Sequence, residues 1–431
     1  MRTSTVERIA GATPVTRNRV VDLLRVGALA VVVLGHWLMA AVWLRDGDLR
    51  TGAVLDIAPW THPLTWVFQV MPVFFLVGGY ANGRSWRRSR RRGEPWSEWL
   101  RGRLRRLLTP VVPLLLVWLV VLSVALAAGA DPTMLRTASQ VALVPTWFLA
   151  AYVVVCAVAP LTLWLWDRLG WWSVTGLLLT GGAVDAVSLG TGSLAVGFVN
   201  YVVVWSAVHQ VGYAWLDGRA GGTRRRLGLA LVGLVGLLLL VRFGPYPVSM
   251  IGLDGATVNN SYPTRVTLGF LGLLQGGVLL ALEPRLQRWM ARDRPWARTV
   301  VLGSRMMSVY LWHLTVMVLV IGLAMLVAPW ALGAAPLTLT WWLTRPLWWA
   351  VLAAATFGVV ALVGRFERPR PDGDGPVPPA WRPVAATVLG CGGLGVMAGQ
   401  GLVGPGGFSW WWALLPVAGV LLLHRSGSRR A

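Results

Sequence analysis

Stretches of about 20 apolar residues return along the whole of this 431-residue chain, and no other feature limits its fold so sharply. A helix rises 1.5 Å per residue, so about 20 residues cross the roughly 30 Å hydrocarbon core of a bilayer. The stretches lie near 21–44, 62–82, 107–130, 143–166, 171–187, 194–216, 227–243, 263–282, 299–328, 338–364, 383–403 and 408–424. In lipid every backbone N–H and C=O must find its partner within the protein, which a helix achieves by itself. The sequence therefore predicts an all-α fold, a polytopic membrane helix bundle of about twelve transmembrane helices. Composition agrees. Hydrophobic residues make up 56% of the chain and charged residues 13%, against about 25% charged in an average soluble domain.

The formal charge of +22 comes without a single lysine. These arginines sit between apolar runs and not on one soluble face, so they read as orientation signals and lipid contacts; nucleic acid is not an expected partner. The basic connections are Arg2 to Arg19, Arg84 to Arg106, Arg219 to Arg226, Arg285 to Arg298, Arg365 to Arg382 and Arg425 to Arg430, with a weak turn at Asp167-Arg168. The loops between them are poor in arginine, and the alternation predicts a multi-pass protein of the plasma (inner) membrane with both termini cytoplasmic. The first apolar run lacks a small-residue cleavage site and reads as a retained anchor. The proline- and glycine-containing stretch from Pro369 to Pro379 reads as a linker. The predicted organisation is a cytoplasmic tail over 1–20, a ten-helix membrane domain over 21–365, a cytoplasmic linker over 366–382, a transmembrane hairpin over 383–424 and a cytoplasmic tail over 425–431. The longest loop is the arginine-rich 83–106. Cys156 and Cys391 both fall in apolar runs, and no metal-ligand spacing is present.

Ionisable groups inside lipid are expensive, so each needs a reason. Asp22 and Arg25 open helix 1, and His36 follows Arg25 by eleven positions. That is about 16 Å along the axis with an angular offset of about 20°. One helix face thus carries a cation near the surface and an imidazole deeper in. An anionic ligand gripped by Arg25 could present its reactive end to His36, whose ring can accept a proton from a hydroxyl. A snorkelling arginine and a histidine bonded to a neighbouring helix fit the same spacing.

Several segments in order resemble the acyltransferase family 3 membrane proteins. They are Asp22, Arg25 and His36 in helix 1, and Met71-Pro72-Val73-Phe74-Phe75-Leu76-Val77-Gly78-Gly79-Tyr80 in helix 2. Next come Arg103-Leu104-Arg105-Arg106 before helix 3 and Thr146-Trp147-Phe148-Leu149 at helix 4. Ser308-Val309-Tyr310-Leu311-Trp312-His313 in helix 9 closes the series. The resemblance covers about residues 16–365, ten helices, and leaves the last hairpin outside. Gly78 stands where the family usually has serine and Tyr80 where it usually has phenylalanine, which points to a difference in substrate selection.

The resemblance implies an acyl-CoA-dependent O-acyltransferase. It would move an acyl group, acetyl for preference, from cytoplasmic acyl-CoA to a hydroxyl or amine of a sugar, glycolipid or cell-surface polymer. His36 and Arg25 are the expected catalytic residues. Arg25, Arg103 and Arg106 are expected to bind the phosphates of coenzyme A, which bidentate guanidinium contacts suit. Direct transfer and an acyl-histidine relay both stay open. His313, with Ser308 and Tyr310 on nearby turns, could orient His36, bind the acceptor or tie two helices together. Trp147 reads as an interfacial aromatic or a site residue, and Asp22 as an arginine partner or helix cap. No permanently bound cofactor and no metal is expected; acyl-CoA is a co-substrate, and the partners are the carbohydrate or glycolipid acceptor and membrane lipids. A secondary transporter or a lipid-linked glycan flippase is the alternative, although the two halves of the chain show no repeat.

The remaining polar residues read more simply. His62 is expected at an interface and His209 in a structural hydrogen bond. Asp185 is expected at an outer helix end within reach of water, and Glu283 and Glu367 at helix ends beside adjacent arginines.

Overall fold

The computed structural model describes residue 14 and residues 17–45, 48–367, 377–404 and 407–424. Arg2, Arg8, most of the expected linker and the final tail with Arg425, Arg429 and Arg430 lie outside the described residues. The chain runs through α1 (Arg19–Met39), β1 (Ala40–Arg45), β2 (Asp48–Ala53), α2 (Met71–Arg91), α3 (Trp96–Leu108), α4 (Val111–Ala127) and α5 (Pro132–Leu143). It continues through α6 (Thr146–Leu169), α7 (Trp171–Thr191), α8 (Asn200–Leu216), α9 (Thr223–Phe243), α10 (Val266–Met290) and α11 (Asp293–Gly303). Last come α12 (Met306–Val327), α13 (Leu339–Val363), α14 (Trp381–Gln400), β3 (Val403–Gly404), β4 (Gly407–Phe408) and α15 (Trp411–Leu422). Among the described residues eleven helical segments are long and apolar enough to cross a membrane, and α15 is a shorter apolar helix of 12 residues. The protein is a polytopic helical bundle of the membrane.

Two expectations need correction. Helix 1 was expected to continue to residue 44, but it ends at Met39 and the chain turns into an antiparallel hairpin pairing Ala40 with Ala53 through to Arg45 with Asp48. The apolar run Ala40–Leu44 suits a strand as well as a helix, and the Asp46-Gly47 dipeptide after it is a hairpin signal in the sequence. The arginine-rich connection 83–106, expected as a loop, is mostly helix. α2 runs on to Arg91 and α3 starts at Trp96. Arginine is a good helix former, and α3 has an apolar face in Trp99, Leu100, Leu104 and Leu108, all buried. Its Arg101 is itself buried, 2.5 Å from Glu98.

The chain forms two compact units, one of residues up to 35, 55–87 and 158–306, the other of 36–54, 88–157 and from 307 onward. In the first unit α8 is buried continuously from Val204 to Trp215. Close backbone approach of α2 and α8 explains one glycine on each. A Cβ on Gly79 of α2 would lie 1.8 Å from the His209 carbonyl oxygen, and one on Gly212 would lie 2.1 Å from that of Leu76. Only small residues let helices approach so closely in a membrane. His209 is fully buried and lies 3.1 Å from Asn82 Nδ2, the expected structural role. Glu283 accepts from Arg226 at 2.8 Å and from Trp215 Nε1 at 2.7 Å, so its arginine comes from α9 and not from the adjacent residues.

Asp185 departs from its expected place in water. It is 0% exposed and accepts from Asn200 Nδ2 (2.8 Å), the Val266 N–H (2.8 Å), the Tyr246 hydroxyl (3.1 Å) and Arg265 Nη1 (3.2 Å). A charge withdrawn from water needs such partners, and here they converge from three separate segments.

In the second unit α14 and α15 are fastened to α3, α5 and α6. Gln140 donates to the Gly399 carbonyl (2.9 Å), Thr146 to that of Leu394 (3.0 Å) and Arg101 to that of Leu423 (3.2 Å). The Leu402 N–H donates to Ser139 Oγ at 3.2 Å.

Candidate active site

α1 is one unbroken helix of 21 residues, and His36 sits in its last turn. α12 is apolar beyond its first three turns, which carry Ser308, Tyr310, His313 and Thr315. In the second unit these helices place His36 Nδ1 2.8 Å from His313 Nε2. The two rings meet edge to edge and nearly coplanar, with centroids 5.1 Å apart and an interplanar angle of 4°. His313 is 0% exposed, whereas His36 is only partly buried.

The protons in this pair can be assigned from the acceptors around it. His313 Nδ1 lies 2.6 Å from the Tyr310 carbonyl oxygen, which can only accept, so Nδ1 carries the hydrogen. In a neutral ring Nε2 is then a lone-pair acceptor. The bond between the histidines must therefore be donated by His36 Nδ1, which leaves His36 Nε2 unprotonated. The pair presents a basic nitrogen whose tautomer is fixed two residues away, by a main-chain carbonyl. A positive charge formed on His36 would strengthen the same bond.

His313 is held from several sides. Trp37, beside His36, donates its indole N–H to the His313 carbonyl at 3.2 Å. The Tyr310 hydroxyl donates to the Pro145 carbonyl at 2.7 Å, tying α12 to the break that precedes α6. Phe148 lies edge-on to the Tyr310 ring at 5.9 Å, and Trp118 of α4 donates to Thr315 Oγ1 at 3.0 Å. Each of these contacts restricts the rotation or sliding of α12 that would open the histidine pair.

The other expected residues are placed as follows. Ser308 donates to the carboxylate of Glu367, which also accepts from Trp312 Nε1 at 2.8 Å. Glu367 is buried, and of the arginines beside it Arg368 and Arg370 lie outside the described residues. Trp147 is partly buried, its ring 6.2 Å from that of Phe148. Arg103 and Arg106 lie on α3; Arg103 packs over the Trp99 ring at 5.6 Å and Arg106 is exposed. In the first unit Asp22 takes hydrogen bonds from Arg17 (2.7 Å) and Arg25 (3.0 Å). It is an arginine partner, and Arg25 keeps about half of its side chain exposed.

His36, His313 and Tyr310 are thus brought together, and Ser308 lies on the same helix one turn and a half before His313. Arg25 stays eleven residues from His36 along α1. Sequence reasoning gave Trp37 no role and read Glu367 only as a helix-end acid. The signal for Trp37 was its adjacency to His36, and that for Glu367 was an acid closing an apolar run.

A family model described as an acyltransferase domain, that of acyltransferase family 3, matches residues 18–365. The matched span contains both histidines and the other expected site residues; Glu367 lies two residues beyond it. The comparisons with curated proteins and with solved structures each gave no match.

Proposed function

Since the chain belongs to acyltransferase family 3 and is a membrane acyltransferase, we propose that it transfers an acyl group, acetyl for preference, from acyl-CoA to a hydroxyl of a sugar, glycolipid or cell-surface polymer, with His36 as the base. The observation that carries this reading is the His36–His313–Tyr310 carbonyl chain, which supports an unprotonated Nε2 on His36. In the reaction His36 Nε2 takes the proton of the acceptor hydroxyl as its oxygen attacks the thioester carbonyl carbon. The tetrahedral adduct collapses, the C–S bond breaks, and the departing thiolate takes the proton from His36. General-base catalysis of this kind is worth roughly 10²- to 10⁴-fold, and positioning of the two substrates supplies more.

On this reading Arg25, Arg103 and Arg106 bind the donor phosphates from the cytoplasmic face of the plasma membrane, both termini lying on that side. Arg25 is oriented for it by Asp22, which holds the guanidinium while leaving part of it open. Ser308, Tyr310 and Trp147 support the acceptor side, with Ser308 acting through Glu367.

The test uses purified protein in detergent with acetyl-CoA. Wild-type protein is expected to bind it in the micromolar range and to turn it over, and His36→Ala is expected to bind it and to turn it over about 10²- to 10⁴-fold more slowly. A wild type with neither affinity nor turnover would overturn the reading in favour of a transporter or flippase.

A further inference from the structure

A cavity lies wholly within the first unit, and none of its lining residues is one named above as catalytic. It is a groove of about 740 Å³ between α7, α9 and α10, bounded by Trp171, Leu178, Val232, Phe270 and Leu273 and closed at one end by Arg219 and Arg225. Its volume falls in the range of sites that hold small ligands, about 300–1,000 Å³. From Trp171 to Gly182 on α7 it extends about 16 Å, and from Arg225 to Leu240 on α9 about 22 Å. One leaflet of a bilayer is about 15 Å deep. A groove of that length is enough to reach from a membrane surface past the midplane, and its walls are apolar apart from Thr175, with its cations at the head.

The head is built for an anion. Arg225 stands in the first turn of α9 and Trp171 begins α7, so two helix N-termini with unpaired backbone N–H groups open toward the same end. Arg219, in the turn before α9, rests its guanidinium 5.3 Å from the Trp166 ring centroid. Both arginines are exposed, and among the described residues Arg225 pairs with no carboxylate. An apolar tube one leaflet deep under two guanidinium groups matches a fatty-acyl chain under a phosphodiester.

We propose that this groove binds an anionic glycerophospholipid of the leaflet on the Arg219/Arg225 side, one acyl chain lying between α7 and α9 and the phosphate held by the two arginines. Two glycines on the groove wall make the idea testable without harm to the fold. A Cβ added to Gly182 or Gly228 would meet nothing within 4 Å, so a larger side chain there fills the groove and not the core.

The experiment is native mass spectrometry of the full chain, exchanged from nanodiscs containing phosphatidylglycerol and phosphatidylcholine in equal amounts. Wild-type protein is expected to retain phosphatidylglycerol in at least tenfold preference. Arg219→Gln with Arg225→Gln should erase the preference, and Gly228→Phe should lower retention of both lipids, each with acyl transfer unchanged. Equal retention of the two lipids by wild type would overturn the proposal, as would full phosphatidylglycerol retention in either variant. Acetyl-CoA that displaced the lipid would overturn it too, because the groove would then be a donor site.

Discussion

His36 and His313 share a hydrogen bond whose direction is set by a third group, the main-chain carbonyl of Tyr310, 2.6 Å from His313 Nδ1. The arrangement does with a backbone oxygen what many hydrolytic sites do with a carboxylate: it holds an imidazole in one tautomer. Its difference is that no negative charge is placed in the apolar interior to do so.

His313 is a positioning residue on this account, and its variants should separate by hydrogen-bonding ability. His313→Gln can still accept from His36 and donate to Tyr310, so it should keep much of the turnover. His313→Phe should lower kcat and shift its pH profile while leaving the KM for acyl-CoA near wild type. His36→Ala should lower kcat by about 10²- to 10⁴-fold. Steady-state kinetics across pH checks all three, and equal losses in His313→Gln and His313→Phe would contradict the tautomer assignment.

Tyr310→Phe removes the donor to the Pro145 carbonyl and leaves that oxygen buried without its partner. A loss of about 1–3 kcal/mol is expected. Thermal unfolding in detergent should show it as a lowered melting temperature, together with a partial loss of turnover as α12 loosens against α6.

Arg103→Glu combined with Arg106→Glu should raise the KM for acyl-CoA by about tenfold or more, the effect of losing roughly 1.4 kcal/mol of charge-assisted binding. Acceptor choice should not change. Competition between two acceptors at saturating donor measures this, and a change confined to acceptor preference would remove the arginines from the donor site.

The Asp185–Arg265 pair should be costly to break from one side. Asp185→Leu leaves the Arg265 guanidinium, 4% exposed, without its carboxylate, at about 3–5 kcal/mol. The double variant Asp185→Leu with Arg265→Met should recover part of that loss. Melting temperatures of the two singles and the double form the cycle.

Asp217, in the turn after α8, gives a pH dependence. Burial pushes its carboxyl up, but hydrogen bonds from Arg87 and Trp166 more than offset this and hold it below its ordinary 3.8. A carboxyl with a depressed folded-state pKa adds stability above the unfolded value, and that contribution is lost as pH falls through the folded one. The melting-temperature gap between wild type and Asp217→Asn should be constant from neutral pH down to about 4 and close below it.

The membrane class, the spans and both histidines were legible in the sequence, because length and apolarity alone decide what crosses a bilayer. The contact between His36 and His313 was not. In a soluble helix the polar face marks the outside, but lipid makes the outside of α12 as apolar as its inside, so the hydrophobic period says nothing about which face meets α1. α12 also begins at Met306, seven residues later than its apolar run suggested, because 293–303 forms the separate helix α11. That shift puts His313 in the second turn and not mid-span. Asp185 was misplaced for a related reason: a carboxylate near a helix end looks wet until Arg265, 80 residues on, is seen beside it.

The terminal pair α14–α15 lies beyond the span that the family model matches, yet it is stitched to the rest through carbonyl oxygens at Gly399, Leu394 and Leu423. Main-chain oxygens are the same whatever side chain the residue bears. The hydrogen bonds of this seam should therefore survive a change of side chain at those three positions, where burial still asks Leu394 and Leu423 for apolar replacements, and be lost with a change at Gln140, Thr146 or Arg101, so that the appendage can drift in sequence without coming unmoored.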